Sequence, residues 1–130
     1  MKPTARPVVV IDFGAQYSKL IARRVREAQV YSLIVPYTAD IDELRRMNPA
    51  AIIFSGGPSS VHAPNAPFPD PGVFDLGVPI LGICYGVQLF AHMLGGRVEH
   101  ADQREYGIAH LEHDGGSQLL DGVATHTQVW

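Results

Sequence analysis

Between Val78 and Leu94 the sequence passes from one periodicity to another within five residues. Val78-Pro79-Ile80-Leu81-Gly82-Ile83 is a short apolar run of the kind that fills a buried strand, and Val87-Gln88-Leu89-Phe90-Ala91-His92-Met93-Leu94 has the spacing of an amphipathic helix. The junction, Gly82-Ile83-Cys84-Tyr85-Gly86, leaves no room for an ordinary loop. A strand that turns so sharply into a helix needs bare backbone where the chain doubles back, and a side chain at position 82 or 86 would collide. At the apex stands the only cysteine of the chain. A nucleophile carried on such a turn is a nucleophile elbow, with the first N–H groups of the helix and the positive end of its dipole directed at the reacting residue. The competing reading is a buried, unreactive cysteine, the common fate of a free thiol.

The rest of the chain repeats the strand-then-helix alternation. Val8-Val9-Val10-Ile11-Asp12-Phe13 is β-branched and apolar, as a strand covered on both faces should be, and Gly14 breaks it. Helical spacing over Ser18 to Ala28 puts Ile21, Ala22, Val25 and Ala28 on one face and turns Lys19, Arg23 and Arg26 away. A second strand is expected from Val30 to Val35, ended by Pro36. Asp40-Ile41-Asp42-Glu43 has the capping-box spacing for a helix running to Met47. Ala51-Ile52-Ile53-Phe54 reads as a third strand, followed by the loop Ser55-Gly56-Gly57-Pro58-Ser59-Ser60. Pro64, Pro67, Pro69 and Pro71 make the next connection a stiff surface segment, with a short helix expected from Pro71 to Leu76. Gly95-Gly96 stops the elbow helix. Two further strands are expected from Arg97 to Ala101 and from Tyr106 to His113, and beyond Gly115-Gly116 the pattern fades.

This alternation predicts an α/β fold: a mostly parallel central sheet with helices on both faces, in flavodoxin-like layering. It sets residues 1–7 apart as a tail and leaves 8–130 as one domain. Active sites of such sheets lie at the carboxyl ends of the strands, where the loops after Phe13, Phe54 and Ile83 meet. The chain carries a formal net charge of -3, and its one basic cluster, Arg23-Arg24-Val25-Arg26, falls on a helix. It is therefore expected to be a solvated face, with no nucleic-acid partner. A single cysteine excludes an intrachain disulfide and suits a reducing compartment. Neither a membrane-length apolar stretch nor a signal-peptide core is present, so the expected location is cytoplasmic, with no membrane partner.

A thiol that attacks a carbonyl carbon needs donors for the oxygen that becomes negative. In elbow enzymes these are the N–H of the residue after the nucleophile and an N–H from the loop after another strand, here Tyr85 and Gly57. Gly56-Gly57 would let that loop approach a substrate without obstruction, although the pair alone also fits an ordinary tight turn. Gln88 lies one helical turn past Cys84 on the same face, placed either for a polar substrate or simply for solvent. His62, His92, His100, His110, His113 and His126 show no metal-ligand spacing with a carboxylate or a second thiol, so no metal is assigned. Asp12-Phe13-Gly14 resembles a kinase tripeptide without the other kinase signatures, and Gly14-Ala15-Gln16 lacks the glycine spacing of a phosphate loop.

Gly82-Ile83-Cys84-Tyr85-Gly86-Val87-Gln88 resembles the nucleophile motif of the class I glutamine amidotransferases, and Ser55-Gly56-Gly57-Pro58 resembles their oxyanion loop. Ile11-Asp12-Phe13-Gly14-Ala15-Gln16-Tyr17, Leu20-Ile21-Ala22-Arg23-Arg24-Val25-Arg26-Glu27, Gly56-Gly57-Pro58-Ser59-Ser60-Val61 and Arg104-Glu105-Tyr106-Gly107 are similar, more narrowly, to the amidotransferase domains of the GMP synthase family. The resemblance runs from Val8 to Trp130. It implies that Cys84 attacks the side-chain amide of glutamine, that the Tyr85 and Gly57 N–H groups hold the oxyanion, and that Gln88 lies at the glutamine site. Ammonia would leave, and the γ-glutamyl thioester would be hydrolysed to glutamate. The resemblance further implies a partner, an ATP pyrophosphatase domain or subunit, which uses the ammonia to convert XMP to GMP. No cofactor is implied in this stretch; ATP and Mg would belong to the complete enzyme, a homodimer.

One part of the family pattern is missing. Its members carry the catalytic histidine and glutamate in a His-Pro-Glu segment tens of residues after the nucleophile, whereas this sequence ends at Gln128-Val129-Trp130 and His126 does not match. The resemblance therefore implies a partial amidotransferase domain over 8–130, truncated at its C-terminus and inactive alone. Two other classes compete: an elbow-cysteine hydrolase of the DJ-1/PfpI-like kind, which lacks the first-helix motif, and a non-catalytic glutamine-binding module.

Overall fold

The computed structural model describes residues 5–14, 16–57, 60–99 and 107–130. They form two compact units that divide between Val98 and Glu99. In the first, β1 (Val8–Asp12), β2 (Ser32–Pro36), β3 (Ala51–Phe54) and β4 (Ile80–Gly82) form a parallel sheet in the order β2-β1-β3-β4. Val9 stands opposite Leu33 on one side and Ile52 on the other, and Ile52 opposite Ile80. Three α-helices accompany the sheet, α1 (Ser18–Glu27), α2 (Ile41–Met47) and α3 (Tyr85–Met93), with a 3-10 helix at Pro71–Asp75.

Side chains alternate along a strand, so each strand feeds both faces. Val9, Ile11, Ile52 and Phe54 are buried on one face with Leu44 of α2, Val73 of the 3-10 helix and Leu89 of α3. Val10 and Ile53 point the other way and pack with Ala22 of α1. Each fully buried Val, Ile, Leu or Phe is worth about 1.5–3 kcal/mol, so the three-element face holds most of the apolar stabilisation. Phe54 sits at its centre, with ring centroids 5.5 Å from Phe13, 5.8 Å from Phe74 and 5.4 Å from Phe90.

Local signals decide where the elements end. The capping box of α2 is formed: the Asp40 carboxylate accepts from Glu43 N–H at 2.9 Å, and Glu43 accepts from Asp40 N–H at 3.3 Å. β2 begins at Ser32 rather than Val30, because Val30 is exposed while the buried Ser32 hydroxyl donates to the Ala22 carbonyl at 2.9 Å. It runs on through Pro36, a residue without an N–H that fits the end of an edge strand. Arg23 and Arg24 project into solvent and meet Glu27 at 3.3 and 3.0 Å. Exposed pairs of this kind contribute roughly 0–1 kcal/mol, so the basic cluster is a solvated helix face.

In the second unit, β5 (Ala109–Glu112) pairs antiparallel with β6 (His126–Val129), and His110 stands opposite Gln128. This corrects the sequence expectation. Residues 97–99 are not in a strand, and the rest of the expected 97–101 strand, like Tyr106, lies outside the described residues. The partner of β5 comes instead from the stretch where the pattern fades. His126-Thr127-Gln128-Val129 is mostly exposed and polar, and a strand without a buried face leaves little apolar alternation to read. The His113 ring closes the connection with Nε2 at 2.9 and 3.1 Å from the Val123 and Ala124 carbonyl oxygens. No helix among the described residues is long and apolar enough to cross a membrane.

Candidate active site

β4 ends at Gly82 and α3 begins at Tyr85, so the turn between them is as tight as the sequence requires. The Ile83 N–H still donates to the Phe54 carbonyl at 3.0 Å, which holds the strand in place to its last residue. The Gly86 N–H then donates back to the Ile83 carbonyl and the Val87 N–H to the Cys84 carbonyl, both at 2.9 Å. Cys84 caps the helix with φ 53° and ψ -112°, a backbone conformation that L-residues rarely adopt. The cysteine is exposed, so the expectation of a buried cysteine does not hold. The glycines behave as expected. A Cβ at Gly86 would lie 2.5 Å from the Phe54 oxygen, and one at Gly82 2.9 Å from the Gly86 carbonyl.

The loop after β3 lies directly beside the thiol. A Cβ at Gly56 would be 3.2 Å from Cys84 Cβ and 3.8 Å from its Sγ, and one at Gly57 would be 3.0 Å from the Phe13 oxygen. Gly57 thus rests on the loop after β1 while Gly56 rests on the cysteine. Among the described residues no acceptor takes the Tyr85 or the Gly57 N–H. Neither N–H is thus consumed by the described residues. Pro58 and Ser59 of the loop, Ala15 of the first loop, and the Arg104-Glu105-Tyr106 motif lie outside the described residues, as does His100.

Tyr85 does more than its N–H suggests. Its side chain is buried, packs edge-on against Phe13 at 5.8 Å, and donates its hydroxyl to the Pro67 carbonyl at 2.7 Å. The elbow is thereby tied to the proline-rich connection. Burial raises the phenol above its ordinary 10.0, because the phenolate would lose its hydration. A folded-state value above the unfolded one gives stability that is complete below about pH 10 and is lost as the pH rises further. Tyr85→Phe is expected to lower stability by about 1 kcal/mol at neutral pH, the value of one hydrogen bond. Thermal melts of both proteins from pH 8 to 11 check this: the gap between them should narrow above pH 10, and a constant gap would refute the linkage.

Gln88 is half-buried, and its Oε1 accepts the Val61 N–H at 3.3 Å, joining α3 to the end of the glycine loop. The purely solvent-facing alternative is thus excluded. Of the described histidines, His62 meets the Val98 carbonyl through Nε2 at 2.9 Å and packs edge-on to His92 at 6.4 Å. His126 lies 3.5 Å from Glu112 across the β5–β6 pair. Sequence reading missed Ser55 and Ser18, buried hydroxyls at the end of β3 and the start of α1. The only signal for them was a serine at each loop-to-element junction.

Residues 9–130 match the family profile of glutamine amidotransferase class-I. The chain is 54% identical over 123 residues to the GMP synthase [glutamine-hydrolyzing] of Acetivibrio thermocellus, covering 95% of this chain and 24% of that protein. It is 55% identical over 130 residues to the corresponding protein of Nocardia farcinica, covering 100% of this chain and 25% of that one. The chain therefore spans about a quarter of the length of these relatives. Among solved structures it resembles a Thermoplasma acidophilum protein described as a GMP synthase subunit, with a TM-score of 0.79 and 27% identity over 97% of this chain and 63% of that one.

Proposed function

The chain belongs to the class-I glutamine amidotransferase family, and from that premise we propose that it is the glutamine-hydrolysing part of a GMP synthase. The observation that carries this reading is Cys84 itself: an exposed thiol on a strained strand-to-helix turn, with the Gly56-Gly57 backbone alongside. Cys84 Sγ attacks the δ-carbon of glutamine, and the carbonyl oxygen takes up the negative charge between the Tyr85 and Gly57 N–H groups. Collapse of that intermediate breaks the C–N bond. The departing nitrogen gains a proton and leaves as ammonia, and the carbon stays on sulfur as a γ-glutamyl thioester. Water then cleaves the thioester to glutamate and restores the thiol. Gln88 contributes its amide NH2 to glutamine binding. The ammonia passes to an ATP pyrophosphatase domain or subunit, which uses ATP and Mg to activate XMP and aminate it to GMP. The complete enzyme is a cytoplasmic homodimer in this reading.

No His-Pro-Glu segment occurs in these 130 residues. A positioned acid–base group supplies roughly 10²–10⁴-fold, so glutamine turnover by this polypeptide is expected to be lower than that of a full amidotransferase by a factor of that order. The test separates site assembly from turnover. Intact mass after incubation with 6-diazo-5-oxo-norleucine is compared with that of Cys84→Ala. One adduct that requires Cys84, with negligible ammonia release from glutamine, is the expected result. No adduct while iodoacetamide still alkylates Cys84 would overturn the glutamine reading.

A further inference from the structure

Beneath the Gly56-Gly57 loop runs a short chain of polar groups that the mechanism above does not use. Ser55 is 0% exposed and Ser18 3% exposed, in a unit whose other fully buried residues are nearly all apolar. The Asp12 Oδ1 accepts from the Gly14 N–H at 2.8 Å and from the Ser18 hydroxyl at 3.0 Å. The Ser18 and Ser55 hydroxyls are 3.3 Å apart, and Ser55 Oγ accepts the Phe13 N–H at 3.3 Å. A hydroxyl has one proton to give. The Ser18 proton is shared between the carboxylate and Ser55 Oγ, while Ser55 gives its own proton to the Gly56 carbonyl at 3.3 Å and keeps a lone pair for Phe13.

The consequence is geometric. Phe13 is fixed at its N–H by Ser55, and its carbonyl oxygen is the surface on which Gly57 rests, 3.0 Å from where a Cβ would be. Ser55 is also the residue before Gly56, which rests on Cys84. The ends of β1 and β3 and the start of α1 are thus locked together by three side chains, and the lock sets how far the Gly57 N–H stands from the thiol. We infer that Asp12, Ser18 and Ser55 are positioning residues for the oxyanion loop; the inference rests on the glutamine reading proposed above. None of the three need touch substrate. They act by holding a donor where the negative oxygen forms, in a site where a misplacement of an ångström matters.

The test measures the rate of Cys84 adduct formation with 6-diazo-5-oxo-norleucine as a function of its concentration, against iodoacetamide alkylation as the control. The diazo ketone gains a proton at its diazo carbon, sulfur displaces dinitrogen there, and the ketone oxygen occupies the oxyanion position. Iodoacetamide needs only the thiol. Loss of one oxyanion donor is worth about 10²–10³-fold, so a displaced donor in Ser55→Ala should lower the saturating rate by about ten- to a hundredfold, with the half-saturating concentration and the iodoacetamide rate within about twofold. Because Ser55→Ala alters a fully buried position and risks failing to fold, a second pair is included at the half-exposed Asp12. Asp12→Ala should show the same loss, whereas Asp12→Asn, which keeps an acceptor oxygen for Ser18 and Gly14, should restore most of the rate. Equal labelling of Asp12→Ala and the unchanged chain would overturn the inference and leave the glutamine reading standing. Failure of the unchanged chain to label would overturn both. A parallel loss of iodoacetamide reactivity would also overturn the inference, since the fault would then lie with the thiol and not with the donor.

Discussion

Gly86→Ala is expected to lower the stability of the first unit by about 3 kcal/mol or more, at the upper end of what forcing a methyl group into a packed interior does. The reason lies in which atoms the new carbon would meet. It would stand 2.5 Å from the Phe54 oxygen and 2.8 Å from Phe54 Cβ. The first belongs to the β3 backbone, and that same oxygen accepts the Ile83 N–H at 3.0 Å, so it cannot retreat without breaking the elbow. The second belongs to the residue whose ring is at the centre of the aromatic cluster. Relief must come from lifting the start of α3 off the sheet, which exposes Tyr85 and Leu89, now 1% and 0% accessible. For comparison, a Cβ at Gly56 would come no closer than 3.2 Å to any atom, Cys84 Cβ, a contact that a shift of a few tenths of an ångström relieves. Denaturant midpoints should therefore fall far more for Gly86→Ala than for Gly56→Ala. With total stabilities of about 5–15 kcal/mol typical of domains, that loss removes roughly a fifth to three-fifths of the whole. Equal midpoints for the two variants would show that the elbow is not held by this contact.

The elbow was legible in the sequence because every local preference there agrees. A β-branched run, a glycine, a helical run and a second glycine each restrict the backbone, and only a strand–turn–helix meets all of them. The parallel sheet was legible for a similar reason: Val8-Val9-Val10-Ile11 and Ala51-Ile52-Ile53-Phe54 are apolar on both faces, which suits only strands covered on both sides. What could not be read depends on residues distant in sequence. Ser18 and Ser55 are 37 positions apart, and neither is unusual until the fold brings their hydroxyls together. The Tyr85 side chain reaches back 18 positions to Pro67, so a residue noticed for its N–H proved also to be a core anchor. Gln88 was noticed for its spacing from Cys84, but its bond to Val61 depends on where the glycine loop travels. In the β5–β6 pair no buried face imposes a pattern, and the partner strand was missed.

Cys84→Gly is expected to abolish the diazo-ketone adduct while making the protein more stable, and the two effects share one cause. At φ 53° and ψ -112° the Cys84 Cβ is crowded by its own backbone, and a non-glycine residue held in such a region costs of order 1–3 kcal/mol. Glycine adopts it freely but loses about 0.5–1 kcal/mol through its more flexible unfolded chain, so the net gain is about 1 kcal/mol. For a unit of this size that amounts to a rise in the thermal midpoint of roughly 4–8 °C. Little else is forfeited, since the side chain is exposed. Cys84→Ser supplies the control, because it removes the thiol and keeps the strained Cβ. It too should lose the adduct, with a midpoint within about 2 °C of the unchanged chain, the range of an ordinary exposed substitution. A rise for glycine and none for serine assigns the energy to the backbone. The strain then coincides with an exposed cysteine beside the Gly56 backbone. Equal midpoints for all three proteins would mean that the turn holds Cys84 without strain, and the stability given up for reactivity would have to be sought elsewhere in the site.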